Sequence, residues 1–446
     1  MRNSLMDRVS GNQIDVILTH PQHQHSFQTL IKLIRALREC RSVEDFYHFQ
    51  QQLLELILEV EKRRSEVRRV LTRLRKEPGK LPARAPDLGT GLDPLDRDSW
   101  MVEDEVFERV WRQLKSIGDA LAWKLFNYDR RVIVGLSRGE PAGPMYGKVG
   151  LVREREVVET AWRDNGEFVL LHDLTAALRV GDVSRFCQDG GVLLDEIKTN
   201  DRYRNKKQDQ KLVATSHALA DGGTLPSGHT PVATGIPFKT DLKGLREVLG
   251  LAHRRGIQGA VVSSGRAVVA ASQLTAGNLY TADTFSDRFT AELDRCRRRI
   301  GNTTPEHRLT LVSLDQAARS SVRPPWAIYP VAPEVAASLI ADAMFFFVCM
   351  SPDAIINGLS EANVHARWLQ RLNGPVDWAK PLLAVAARTT DKLWFTSLNP
   401  EAISPLMLEL VDLRTWCTQV ASTLSGDIAA GVLPWPYFKD EDKTWF

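Results

Sequence analysis

Val192-Leu-Leu-Asp-Glu-Ile-Lys-Thr199 is the stretch whose conformation decides the fold. As a strand, its alternation sends Val192, Leu194, Glu196 and Lys198 to one face, so a carboxylate and an ammonium emerge side by side at the end of an apolar run. Upstream, Arg179-Val-Gly-Asp182 opens the outgoing half of a predicted hairpin whose turn is Gln188-Asp189-Gly190. A three-residue loop with Gly190 left-handed sets Cys187 against Gly191 and Asp182 opposite Glu196, with both carboxylates on one face. A four-residue loop ending at Gly191 puts Asp182 on the other face, because a slip of one residue reverses every side chain.

Outward from this hairpin, Leu151 to Arg163 reads as a helix, Phe168 to His172 and Ala176 to Phe186 as strands, and Arg202 to Ala220 as a helix. Helix, strands, helix is an α/β order. Two neighbouring carboxylates beside a lysine suit a hard divalent cation with oxygen ligands, Mg2+ or Mn2+ as its substitute, held by Asp182 and Glu196. Lys198 is assigned to orienting a water and stabilising developing negative charge, not to acting as a neutral base. On the preceding helix, Glu154 shares a stripe with Val158 and Ala161 and is predicted to face the sheet. Glu156 and Glu159 are expected to face solvent.

The Gly181-Asp182 pair, followed fourteen positions later by Glu196-Ile197-Lys198, resembles the PD-(D/E)XK superfamily of restriction-endonuclease-like nucleases. The resemblance covers residues 150 to 220, and at most reaches Ala271. It implies a mixed sheet flanked by helices and an Mg2+-dependent phosphodiesterase acting on DNA, with RNA not excluded, in restriction, repair or defence against foreign DNA. It also implies that the backbone carbonyl of Ile197 completes the metal site with Asp182 and Glu196, and that Glu154 adds an acidic group. The helix after the motif would supply Gln208, or else Gln210, and the basic residues Arg202, Arg204, Lys206, Lys207 and Lys211 for phosphate contact. This chain departs from the family pattern in having Gly181 where proline is usual. The competing expectation is a non-catalytic scaffold on the same fold that binds nucleic acid or a protein.

The remainder of the 446 residues is less specific. Two helices are predicted between Phe27 and Lys76, the second ending in the basic run Lys62, Arg63, Arg64, Arg68, Arg69, Arg73, Arg75 and Lys76. That run could follow a phosphate backbone, but interleaved Glu61, Glu66 and Glu77 favour a solvated face. The Pro- and Gly-rich stretch from Pro78 to Pro94 reads as a domain seam. The resulting division is a helical region over 1–77, a linker over 78–99, a helical lead-in over 100–150 with a short strand at Val132 to Leu136, a core over 151–275 and a mostly helical C-terminal region over 276–446. A hairpin is predicted with arms Gly259 to Ser263 and Arg266 to Ala271. Val335 to Met350 is expected to be a buried helix, too short to span a bilayer.

His20-Pro-Gln-His-Gln-His25 reads as a flexible polar terminus, the Arg295 to Arg299 cluster equally as an aid to DNA binding or an exposed helix end, and the scattered tryptophans of the last third as packing residues. A net charge of +3 and a pI near 8.5 neither require nor exclude a nucleic-acid partner. Five widely spaced cysteines without a CxxC pair, and no charged leader followed by an apolar run, point to a reducing, cytoplasmic setting without membrane association. A homodimer or a partner protein is left open. No nucleotide-binding loop, Rossmann fingerprint, nucleophile elbow or zinc-protease helix occurs.

Overall fold

The structure is a computed structural model that describes residues 20–429 except 84, 90–92, 138–142, 189–190, 198–205, 222–224, 226–238, 302–308, 313–323, 373–376, 378–379 and 389–392. It mixes helices with three small sheets, all antiparallel among the described residues. The chain divides into two compact units, the first built mainly from residues 1–231 and the second mainly from 232–320 and 342–446. The expected seam at 78–94 therefore lies inside the first unit.

Three long helices frame the first unit: α1 (Pro21–Glu39), α2 (Val43–Lys76) and α3 (Arg97–Leu125). Ser42 begins α2 with a capping box, accepting from Asp45 N–H while the Asp45 carboxylate accepts from Ser42 N–H. Apolar residues at helical spacing, Leu53, Leu54, Ile57 and Val60 on α2 and Val106, Val110, Leu114 and Ile117 on α3, are buried between these helices. Part of the basic run of α2 is paired with acids, while Lys62, Arg69, Arg75 and Lys76 are exposed. Arg63 pairs with Glu103, Arg64 with Asp104 and Glu108, and Arg68 with Asp104, all across to α3, while Arg73 pairs with Glu77 on its own helix. The stretch after α2 lacks regular structure because of its prolines and glycine, yet it packs. Leu81, Ala85 and Leu88 lie against Val67, Val70, Leu74 and Trp100, and the Trp100 indole donates to Pro94 O at 2.8 Å.

Between α3 and the sheet, two further helices form, α4 (Arg130–Leu136) and α5 (Leu151–Asn165). The first corrects the expected strand at 132–136: the Asp129 side chain caps it by accepting from Arg131 N–H. Strands β1 (Phe168–Leu171), β2 (Val183–Phe186) and β3 (Val192–Asp195) then make an antiparallel sheet in that order, and α6 (Lys206–Asp221) follows. The sheet is antiparallel, not mixed as expected, because short connections join successive strands. The strand expected over 176–186 is confined to its last four residues, with a single bridge between Ser137 and Leu178 before it.

Strand β1 is an edge strand, and its outward peptides are satisfied by a side chain. Gln50 of α2 donates to Val169 O at 2.8 Å and accepts from Leu171 N–H at 3.1 Å. From α3, Asp119 accepts from the Ala176 and Ala177 amides and buried Lys115 donates to Asp173 O, so the loop after β1 is tied to that helix. Gly118 lets the two approach: a Cβ there would sit 2.1 Å from Leu174 O. Gly118→Ala should therefore lower stability by about 2 kcal/mol, because overpacking against backbone outweighs the roughly 1 kcal/mol that alanine adds to helix propensity. Denaturant midpoints decide the sign.

The second unit holds the predicted hairpin, as β4 (Ile257–Ser263) and β5 (Arg266–Ser272), with Gly265 at φ 69° in the turn. It pairs not with β1–β3 but in a separate sheet, so the core expected to run to residue 275 ends earlier in space. That sheet continues through β6 (Leu309–Val312) and β7 (Met344–Met350) in the order β4-β5-β7-β6. The helix expected over 335–350 is thus corrected: α10 (Pro333–Ile340) stops, Asp342 takes φ 58°, and the β-branched and aromatic-rich run after it forms β7. In chain order α7 (Leu242–Arg255), α8 (Gln273–Leu279) and α9 (Ala282–Arg299) precede it. After it come α11 (Pro352–Glu361), the sheet β8 (His365–Trp368), β9 (Leu383–Arg388) and β10 (Leu393–Leu398), and then α12 (Pro400–Leu408) and α13 (Leu413–Ala429). Arg266, fully buried, donates to Leu406 O at 2.7 Å and Val411 O at 2.9 Å and pairs with Asp241, so this charge is structural. Arg295 and Arg297 of the basic cluster pair with Glu292 and Asp294. Trp326, Tyr329 and Trp416 are buried, in keeping with packing roles, while Trp378, Trp435 and Tyr437 lie outside the described residues. No helix among the described residues is long and apolar enough to cross a membrane.

Candidate metal centre

Over its paired residues the hairpin has the register of the three-residue loop. Val183 faces Asp195 and Phe186 faces Val192, and the Cys187 amide donates to Gly191 O at 2.9 Å. The ladder stops at Val183: the Asp182 amide turns to Asp195 O, one step short of the Glu196 that the expected register sets opposite it. The strand itself is shorter than expected and lies at the sheet's edge, with Val192, Leu193 and Asp195 exposed. Asp182 and Glu196 stand where the ladder opens: the Asp182 amide donates to Asp195 O at 2.9 Å, and Asp182 Oδ2 accepts from Ile197 N–H at 2.8 Å.

Gly181 explains the departure from proline at this position. It has φ 75°, and a Cβ would meet Asp195 O at 2.8 Å and Leu212 Cδ2 at 3.0 Å. Proline, locked near φ −65°, cannot take that conformation. The carbonyl of the same glycine accepts from buried His172 Nδ1 at 3.1 Å, which leaves Nε2 to accept from Ser184 Oγ at 2.7 Å. The His172 amide also donates to Asp182 O at 2.9 Å. His172 thus clamps the backbone on both sides of the carboxylate, and burial holds its ring neutral, with a pKa pulled down to about 4.

Glu154 faces inward on α5 together with Leu151, Val158 and Ala161, while Glu156 and Glu159 are exposed. Its Oε1 pairs with Lys148 Nζ at 2.7 Å, and the same ammonium reaches Asp173 Oδ2 at 2.7 Å. Glu154 Oε2 is buried with no hydrogen-bond partner among the described residues. Burial first, then the nearby Asp173 and Asp182 charges, hold the Glu154 carboxyl above the usual range against the pull of Lys148. Asp182 is likewise raised, chiefly by burial and further by Glu196 and Asp173, with the Ile197 amide and Lys148 opposing. Glu154 and Asp182 thus act on each other, and Lys148 is the cation that reaches Glu154 and Asp173 and also acts on Asp182.

Two carboxylates at the open end of a hairpin and a buried acceptor on the preceding helix fit a hard cation. No group of three or more His, Cys, Asp or Glu placed to hold a metal ion occurs among the described residues, so Asp182 and Glu196 with Glu154 are not a closed three-carboxylate cage. Lys198, Arg202 and Arg204 lie outside the described residues, as do the side chains of Lys206, Lys207 and Gln208. Leu212 and Thr215, which share a helical stripe with position 208, are buried, Lys211 is half-buried and Gln210 is exposed.

Sequence reasoning missed Lys148, Asp173 and His172. Only Lys148 had a local signal, being a lone cation in a Gly- and Pro-containing loop just before an acid-bearing helix. It also misread His20 and His23, which are buried at the start of α1, where His20 caps the helix and its Nε2 lies 3.0 Å from Glu103 Oε2. Comparison of the chain with protein-family models, with curated proteins and with solved structures finds no match.

Proposed function

We propose that this chain is an Mg2+-dependent nuclease of the PD-(D/E)XK type that hydrolyses phosphodiester bonds of DNA. The observation that supports the reading is a contact: in a helix, three-stranded antiparallel sheet and helix, the Asp182 carboxylate accepts from Ile197 N–H, next to Glu196, while Glu154 faces inward from the preceding helix. Asp182 and Glu196 would hold the ion, with the Ile197 carbonyl beside them and Glu154 behind. When bound, Mg2+ would lower the pKa of a water and shield the phosphate's charge.

The chain's own groups do the rest. Lys198, two positions beyond Glu196, orients the attacking water and stabilises the charge that develops on phosphorus oxygens. Arg202, Arg204, Lys206, Lys207 and Lys211, with Gln208, contact the nucleic-acid backbone. The scaffold alternative would draw its nucleic-acid surface from the end of α2. There Arg63, Arg64 and Arg68 pair with acids of α3, which leaves Lys62, Arg69, Arg75 and Lys76 as its exposed cations.

Supercoiled plasmid and, in a separate arm, single-stranded RNA incubated with the full chain test the reading. Nicking of the plasmid in millimolar Mg2+ and none in EDTA is expected. Failure to cut either substrate with Mg2+ or Mn2+ rejects it, and cleavage of RNA alone changes the substrate.

A further inference from the structure

We infer that Lys148 is a built-in counter-cation of this acidic centre, competing with the divalent ion for the same carboxylates. The inference rests on the metal-centre reading above and adds a residue that the motif does not contain.

Lys148 is held in place by the fold. Buried Glu61 of α2 accepts from the Met145 and Tyr146 amides at 2.6 and 2.7 Å and from the Trp111 indole at 2.7 Å, which pins the start of the loop. A turn from Lys148 N–H to Met145 O, 3.0 Å, and another from Leu151 N–H to Lys148 O, 3.2 Å, fix the residue at the entry to α5. From there its ammonium lies 2.7 Å from both Glu154 Oε1 and Asp173 Oδ2, and its charge acts on Asp182. Asp173 is itself anchored through its carbonyl to Lys115. The side chain of Lys148 remains 34% exposed, so it has room to swing outward.

Without a cation, Glu154, Asp173 and Asp182 would repel one another in a partly desolvated space, and Lys148 relieves that repulsion. A divalent ion supplies the same relief and more. Ion and ammonium a few ångströms apart repel strongly at the dielectric of a protein site, so the ion binds against Lys148 and pushes it from Glu154. Glu154 Oε2, buried and without a hydrogen-bond partner among the described residues, is the acceptor that the ammonium leaves unused.

Mn2+ titration calorimetry on the full chain, with melting temperatures in EDTA and in Mn2+, tests the assignment in wild type, Lys148→Met and Lys148→Arg. Lys148→Met should melt lower in EDTA, yet bind Mn2+ about tenfold or more tightly, since a single charge at this range contributes at least that much. Lys148→Arg should behave as wild type. Equal or weaker Mn2+ binding by Lys148→Met, with wild-type binding intact, overturns the assignment of Lys148 and leaves the metal centre standing. A Lys148→Met chain that is unfolded in EDTA but recovers with Mn2+ supports it, and one that stays unfolded in Mn2+ overturns it. Absence of Mn2+ binding in all three chains overturns the metal centre and the Lys148 assignment together.

Discussion

Asp182→Asn is expected to reduce Mg2+-dependent cleavage about a thousandfold while the chain keeps its fold. Asparagine preserves the shape, and its amide oxygen can still accept from Ile197 N–H, the bond that ends the hairpin at 2.8 Å. What it removes is the charge that, together with Glu196, would hold the ion. Loss of one group that stabilises a transition state typically costs two to three orders of magnitude in rate. Since Asp182 is raised by burial, neutralising it also removes a desolvation penalty, so the melting temperature in EDTA should hold or rise. Cleavage at the wild-type rate by a folded Asp182→Asn chain would remove Asp182 from the chemistry. An unfolded chain would show that the Ile197 contact needs the carboxylate, and Asp182→Glu would then serve in its place.

Acid should weaken the fold through His172. Its folded-state pKa of about 4 lies below the unfolded value of 6.5, so the unfolded chain takes up a proton first as pH falls. The stability that the neutral ring contributes is complete above pH 6.5 and is lost progressively down to about pH 4. At 1.36 kcal/mol per unit, the loss is about 3 kcal/mol. Buried His23, lowered to about 4 by burial with Arg109 and His20 adding, acts in the same direction and window. Glu154 and Asp182, both raised, act oppositely, because the folded state takes up their protons first as pH falls. Comparison with His172→Asn cancels their effect. The asparagine amide can still donate toward Gly181 O but cannot be protonated. Denaturant midpoints from pH 7 to 4 should fall more steeply for wild type than for the variant. Parallel curves would show that His172 is not the source.

The candidate centre was readable in the sequence where local rules apply. Stripe spacing is a property of one helix, so Glu154 could be placed facing inward beside Val158 and Ala161, as it is found. Loop length fixes hairpin register, so the pairing of Val183 with Asp195 agrees with the three-residue alternative, while the step that would set Asp182 opposite Glu196 is not part of the ladder. Lys148, Asp173 and His172 follow no such rule. The loops that carry Lys148 and Asp173 are held by partners distant in sequence, Glu61 of α2 for the first and Lys115 and Asp119 of α3 for the second, and His172 meets Gly181 and Ser184 only once β1 and β2 have paired. The same limit explains the misplaced seam. Proline and glycine correctly marked irregular backbone over 78–94, but whether such a stretch separates domains depends on what Leu81, Ala85 and Leu88 touch. Short apolar runs failed for a different reason. Over seven residues a helix such as Arg130–Leu136 and a strand show no distinguishable period, and only the cap at Asp129 separates them.

Gln50 has a consequence for how this chain can be cut and reused. Its amide completes both the Val169 carbonyl and the Leu171 amide of β1 from a helix more than a hundred residues upstream. Excising residues 143–221 as a cassette would leave that backbone uncovered, an open ribbon free to recruit a strand from another chain. Grafted onto a foreign carrier, the cassette would tend to associate with itself. The unit that can be transplanted therefore begins no later than α2.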